Sequence, residues 1–354
     1  MKTSKLAAGA MALIVPAAVC LTGCSFGNIN FMNYKYDNAD KYEAGDREID
    51  DKITKINLDY ASGNVTVKGT ATDSVKVEET VNKDIDKDHQ VHTWVDGNTL
   101  YVRYCASKDM LTFNGIEKSL EVTIPEAQNL DEFIINVSSG NIVLDNFTTD
   151  SLNSHASSGN TRIACSAKTI EHKSSSGNVD LVQTGNTDSI KLKLSSGNLV
   201  LTQNGDCKTF DIDSSSGKIK VYQTGNVGNA RIHSSSGGVK AEMGTVDDLN
   251  IEVSSGPIVL DADEVKNLYT KASSGHSTIS LDKAPATSKI NCSSGGIDVS
   301  LPEDSDITVH VKVSSGDFSY ELPFTKEGKD YISGNGTNDM QINCSSGDVG
   351  FHKA

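Results

Sequence analysis

Aromatic rings, prolines and basic charge are all scarce in this chain of 354 residues. Aromatics make up 6% of the sequence, with one tryptophan, and prolines number six. Between Thr148 and Gly316 the only rings are Phe210, Tyr222 and Tyr269, so the middle of the chain offers no platform of stacked aromatics of the kind that binds sugars. Acidic residues outnumber basic ones 47 to 32, for a formal net charge of −15, which argues against a nucleic-acid partner. Past residue 30 no apolar run approaches 18 residues, so nothing in the body reads as a membrane-spanning helix. Neither a Walker A loop, a Gly-x-Ser-x-Gly elbow, a His-Glu-x-x-His pattern nor a Cys-x-x-Cys pair occurs, and the calcium-binding nonapeptide is missing too. No cofactor and no metal site is expected.

What the chain has instead is glycine in a fixed setting. Ser-Ser-Gly recurs eleven times, ending at Gly140, Gly159, Gly177, Gly197, Gly217, Gly237, Gly256, Gly275, Gly295, Gly316 and Gly347, and Ala61-Ser-Gly63 is a variant of it. From Gly140 to Gly316 the spacings run 19, 18, 20, 20, 20, 19, 19, 20 and 21 residues, the signature of a repeated structural unit. Apolar residues stand two and four positions after the glycine (Val179 and Leu181, Leu199 and Leu201) and three and five before it (Val253 and Ile251, Leu194 and Leu192). Period-two alternation on both sides means two strands, each with one buried face. The glycine is then a corner glycine, placed where a sharp bend needs a residue without Cβ.

A second glycine follows at Gly185, Gly205, Gly225 and Gly244, and a further apolar stretch leads to the next Ser-Ser-Gly. The expected fold is therefore all-β: a parallel β-helix, or β-solenoid, of roughly three-sided coils of about 20 residues. Ten coils stacked about 4.8 Å apart would make a rod about 48 Å long. Asn141, Asn160, Asn178 and Asn198 would occupy one rung position along it. The repeat is interrupted twice, at residues 70–125, read as an antiparallel insertion or cap, and at 323–339, before the last coil. Aromatics gather in these end regions, where terminal coils must be protected against edge-to-edge pairing.

The N-terminus carries the most specific functional signal. Lys2 and Lys5 precede an apolar run that ends in Leu21-Thr22-Gly23-Cys24, the pattern of a bacterial lipoprotein signal peptide whose cysteine is lipidated. The division expected is a signal at 1–23, lipidation at Cys24, a polar tether at 24–48 and the solenoid at 49–354. Acyl chains on Cys24 would hold the protein to the outer face of the cell membrane. Losing Lys2 and Lys5 takes the net charge from −15 to −17. Cys105, Cys165, Cys207, Cys292 and Cys344 remain; Cys292 and Cys344 share the inward offset of Val137 and Val253, so they read as small core residues, with their disulfide state open.

Catalysis finds little support. Parallel β-helices that process polysaccharides need ionisable groups converging across neighbouring coils. Here the outward offsets mix signs, and the best candidate set is His155, Arg162, Lys173 and Asp180. His172 lies at an inward offset and reads as a packed histidine. Trp94, in His92-Thr-Trp-Val-Asp-Gly-Asn98, sits at a hairpin signal and is the candidate for partner binding.

Several stretches resemble one family. They are Ile56-Asn-Leu-Asp-Tyr-Ala-Ser-Gly-Asn-Val-Thr-Val67, Leu120-Glu-Val-Thr-Ile-Pro125, the Ser-Ser-Gly-Asn series, Val299-Ser-Leu-Pro302, Ile342-Asn-Cys-Ser-Ser-Gly-Asp-Val349 and the preceding Tyr36-Asp-Asn-Ala-Asp-Lys-Tyr42. The chain resembles lipoprotein members of the bacterial putative-adhesin family, a domain of unknown function with β-strand repeats. That resemblance implies a β-solenoid displayed at the envelope, a role in adhesion or surface scaffolding, and no catalytic residues to carry over. It leaves two other readings: an envelope-stress sensing or regulatory partner of a membrane protein, and a polysaccharide-processing enzyme. A glycan or a surface protein is the ligand class expected.

Overall fold

A computed structural model describes residues 29–354; the signal segment and Cys24 lie outside the described residues. Two parallel ladders run the length of the body. One is made by the strands that follow the corner glycines, such as Val179–Thr184 and Leu199–Asn204, and the other by the strands that precede them, such as Thr187–Leu194. Twelve successive parallel pairings in the first ladder join thirteen coils. Twelve spacings of about 4.8 Å put the two end coils about 58 Å apart, and the stack holds three coils more than the repeat spacing alone suggests.

The coils have three sides. Inward and outward residues alternate along each strand, and the alternation breaks where two adjacent residues both face out, as at Lys208 and Thr209 or Lys266 and Asn267. That phase reversal turns the third corner, and between it and the second corner a single residue points in: Cys207, Val227, Val246 and Val265 in successive coils. One continuous aliphatic column fills the interior.

The first corner is where the sequence repeat originates. Gly197 has φ +110°, and a Cβ there would lie 2.0 Å from the carbonyl oxygen of Gly177 in the coil before it. The same contact recurs up the stack, from Gly63 against Lys118 to Gly316 against Gly347, so the glycine is demanded both by backbone conformation and by the approach of the neighbouring coil. Beside it the asparagine rung is bonded rather than merely stacked: the side-chain oxygens of Asn64, Asn141, Asn160, Asn178 and Asn198 each accept the main-chain N–H of the next coil at 2.9–3.0 Å. At the second corner Gln203 and Gln223 point inward and donate to the carbonyls of Gly185 and Gly205 at 2.8 and 2.7 Å, which satisfies groups that the turn would otherwise bury unpaired.

Both ends are interleaved. The first coil in sequence, Lys55–Ser62 with Asn64–Thr70, is not the outermost one. Thr99–Arg103 and Lys118–Pro125, from within the insertion, pair parallel outside it, and the chain then returns to Asn129–Ser139 on its inner side. At the other end Asn338–Ser346 and Val349–Lys353, the last strands in sequence, lie between the coil of Thr287–Leu301 and that of Ile307–Tyr320. Residues 70–125 are therefore more than an antiparallel cap: two of their strands build a full coil, while Val75–Val81 and His92–Asp96 seal it antiparallel. The hairpin of Thr325–Glu327 and Asp330–Ser333 seals the far end. Antiparallel caps leave no long free edge in register with the stack, which blocks end-to-end growth.

The polar tether is also corrected in part. Residues 29–48 are docked on the body: Ile29–Tyr34 pairs with Lys108–Phe113, Glu43–Ala44 with His92 and Thr93, and Arg47–Ile49 with Val75–Val77. Tyr34 and Tyr36 alternate as a strand requires, a signal outweighed by the polar residues around them.

Candidate binding surfaces

Three surfaces gather side chains with chemical potential, and the first surrounds Trp94. The hairpin of His92–Asp96 and Thr99–Arg103 stacks Trp94 on Tyr101, with centroids 5.2 Å apart and planes 18° from parallel. The docked N-terminal segment continues the row: Tyr42 lies 5.6 Å from Trp94, Tyr36 lies 4.7 Å from Tyr42, and Lys41 Nζ sits 4.9 Å above the indole. The Arg103 guanidinium faces the rings of Tyr36, Tyr42 and Tyr101 and donates to the Asn57 carbonyl and side-chain oxygens at 2.9 Å. Trp94 is thus half-buried under the chain's own N-terminal segment, and a partner would meet the row as a whole.

The four candidate catalytic residues are not brought together. His155 and Lys173 are register neighbours before the corner, and Arg162 and Asp180 are register neighbours after it. The corner glycines separate the two pairs onto different sides of the coil. Lys173 pairs instead with Glu171 at 2.7 Å. His172 is fully buried, its Nδ1 3.1 Å from Ser154 Oγ, and burial pulls its pKa down to about 4, so it is a neutral packed side chain. Among the described residues no group of three or more histidine, cysteine or carboxylate side chains is arranged to hold a metal.

The five cysteines among the described residues are buried thiols. Cys292 and Cys344 face each other on adjacent coils, and both donate to the Gly295 carbonyl, at 3.3 and 3.4 Å. Burial pushes Cys105 and Cys165 up to about 12 and Cys207 and Cys292 up to about 11. Since the thiolate is the reactive form, we expect no measurable modification of these five residues by a thiol-specific disulfide reagent in native protein at pH 8. All should react in denaturant. Rapid labelling of any of them under native conditions would contradict their placement.

The second and third surfaces are troughs along the flank of the rod. One, of about 530 Å³, follows the asparagine rung from Asn64 to Asn198, with Arg162 and Asp180 at its side. The other, of about 750 Å³, follows the third corner across six coils, from Thr209 to Gln341. One row of side chains there is Thr209, Asn229, Asp248, Asn267, Thr287 and Asp339, register partners in successive coils. A second row, two residues on, holds Asp211, Arg231, Asn250, Tyr269, Lys289 and Gln341. These offsets, eight and six before the corner glycine, carry no constant residue type, so the sequence repeat gives no sign of the two rows.

The far cap is held by a histidine. His310 Nδ1 lies 2.6 Å from Asp330 of the sealing hairpin, and Nε2 lies 2.9 Å from Asp339 of the strand Asn338–Ser346. The hydrogen bond to Asp330, helped by Asp339, holds the imidazole above its ordinary range. A raised folded-state pKa gives stability that is full below pH 6.5 and is lost as pH rises through the folded value. We expect amide exchange in Thr325–Ser333 to accelerate from pH 6 to pH 8 beyond the intrinsic rate change, and His310→Gln to remove that excess. An unchanged excess in the variant would exclude the histidine as its cause.

Taken together, these features define a capped parallel β-solenoid with polar flanks, in which the four candidate catalytic residues lie apart among the described residues. The chain belongs to the Toastrack family (DUF4097), a domain of unknown function, whose model matches residues 53–187 and again 181–351. Among solved structures it is similar to a putative cell adhesion protein from Clostridium sporogenes, at 10% identity over 88% of this chain and 100% of that one, with a TM-score of 0.18. It is also similar to a putative adhesin from Bacteroides fragilis (14% identity, 88% and 97% covered, TM-score 0.27). A third is a putative lipid binding protein from Parabacteroides distasonis (13% identity, 89% and 97% covered, TM-score 0.29). No curated protein matches the chain.

Proposed function

We propose that the protein is a non-enzymatic rod held at the outer face of the bacterial cell membrane by lipid on Cys24, and that it makes surface contacts as an adhesin or scaffold. The observation that carries this reading is the sealing of both ends: with the ladders' main-chain groups bonded between coils and the tips capped, the chemistry offered to a partner is that of side chains along the flanks. The lipobox at Leu21 to Cys24 supports the anchor, and no helix among the described residues is long and apolar enough to cross a membrane. Five residue steps separate Cys24 from Ile29, a reach of at most about 18 Å, so the end bearing Trp94 would face the bilayer and the troughs would run outward from it.

That placement favours one rival, a sensing role in which a membrane protein engages the row of Tyr36, Tyr42, Trp94 and Tyr101. Crosslinking on intact cells separates the two. If a single membrane protein is captured, and is lost on Trp94→Ala, the sensor reading prevails. If no such partner appears and cells carrying the protein attach to surfaces better than cells with Cys24→Ala, the contact reading stands. Protein that is neither acylated nor retained at the envelope would sink both.

A further inference from the structure

The trough at the third corner has the form of a site for an extended polymer, and its chemistry narrows which. It spans six coils, about 24 Å at about 4.8 Å per coil, and presents the same two side-chain rows at every step. Extended peptides are usually held by main-chain hydrogen bonds to a sheet edge. Here that route is closed, because the strands of the corner are bonded to coils on both sides throughout. A ligand must be read by side chains. Seven of the twelve in the two rows are carboxamides or hydroxyls that both donate and accept, and part of one row is already linked in a chain: Asn267 Nδ2 donates to Asp248 at 2.9 Å and Thr287 Oγ1 donates to Asn267 at 2.7 Å.

Charge excludes strongly ionic polymers. Arg231 is paired with Asp211 at 2.7 Å, Asp339 lies 2.9 Å from His310, and Lys289 and Asp248 share the trough as opposite charges, so neither a polyanion nor a polycation meets a single-sign track. The surface exposed along the trough is mostly carbon, its floor backed by the buried side chains of Phe210, Ala230, Leu249 and Leu268 between the rows, and the half-buried Tyr269 presents a ring to it. Polar walls along both sides of a straight apolar bed match a flat ribbon with hydroxyls on both edges and C–H faces, whose unit length is close to the coil spacing.

We infer that this trough is the binding site for a linear, neutral β-1,4-linked glycan, with Asn229, Asn267 and Thr287 reading one edge, Arg231 and Lys289 the other, and Tyr269 packing on a sugar face. The inference deepens the surface-contact reading and rests on it. The test uses the full body of the protein with cellohexaose and chitohexaose as probes, by calorimetry and by amide chemical-shift mapping. Binding of at least one hexaose is expected, strengthening with chain length up to about the hexamer, with shifts confined to residues 207–341. Tyr269→Ala and Asn267→Ala, both outward positions, should each weaken it at least tenfold with an unchanged melting temperature, while Lys220→Ala on the first side leaves it unaltered. The assignment is overturned if neither hexaose binds at millimolar concentration, if binding ignores the trough variants or maps to the asparagine rung, or if polygalacturonate or an extended peptide binds more tightly. Surface attachment that persists in the Tyr269→Ala protein would remove this site while leaving the contact reading intact; attachment absent from the unmodified protein would remove the contact reading itself.

Discussion

Gly197→Ala is expected to unfold the protein, or to leave it folded only well below its normal melting temperature. Two costs add. The residue sits at φ +110°, where an L side chain is strained, and its new Cβ would lie 2.0 Å from the Gly177 carbonyl. That atom is main chain in a coil pinned from both sides, so it cannot give way without breaking ladder hydrogen bonds. The conformational part is about 1–2 kcal/mol, and the steric part moves the total into the range above about 4 kcal/mol that marks severe substitutions. A control separates the two. Gly97, in the hairpin turn, has φ +59° with nothing within 4 Å of an added Cβ, so Gly97→Ala should cost only the conformational part. Equal losses in denaturant titrations of the two variants would refute the close-approach argument.

The second large effect is expected at Lys118. This residue stands at the corner of the outermost coil, where every inner coil has glycine, and its carbonyl is the one Gly63 abuts. Its side chain points into the cap. Nζ lies 2.8 Å from Glu79 Oε1 and donates to the carbonyls of His89 and Tyr104 at 2.5 Å, with the Tyr104 ring 4.1 Å away. Glu79 in turn accepts from Tyr60 Oη and the Val91 N–H, both at 2.9 Å. Both side chains are almost wholly buried, and burial alone pulls the lysine down and pushes the carboxyl up. With three acceptors around the ammonium and three donors on the carboxylate, the pair stays ionic. Removing one partner strands the other charge, a loss of about 3–5 kcal/mol. Lys118→Met and Glu79→Leu should each fall in that range, and the double variant should recover most of it. Additive losses would show that the pair is not the unit of stability.

The corner glycines, the three-sided coil and the inward cysteines were legible because each is set by a local rule repeated many times. Period two, positive φ and a small residue at the tight corner leave traces in every repeat. The order of coils at the ends left no such trace. Nothing in the spacing of Gly63 or Gly347 says that a neighbour in space comes from Thr99–Lys118 or Ile307–Tyr320 rather than from the adjacent repeat. Lys118 hid the outermost coil altogether, since a coil without glycine at its corner does not look like a coil. The docked N-terminal segment was masked by charge, as two of its three strands have only two and three residues and are held by pairing rather than by a hydrophobic run. Trp94 was picked out by rarity, whereas its partners Tyr36, Tyr42 and Tyr101 could be joined to it only by the fold. The trough at the third corner rests on offsets that carry no constant residue, so only register exposes its two rows.

Interleaving has a mechanical consequence for a rod held at one end. The first and last coils in sequence are each flanked by a coil on both sides, so the ends cannot peel away strand by strand as a simple solenoid frays. Native-state hydrogen exchange tests this directly. The sealed-rod account predicts that amides of Lys55–Ser62 and Asn338–Ser346 exchange as slowly as those of the central coils, while the hairpin of Thr325–Ser333 opens first. Fast exchange in Lys55–Ser62 and Asn338–Ser346, with slow exchange in Thr99–Arg103 and Ile307–Val313, would contradict it and return the termini to the outside of the rod.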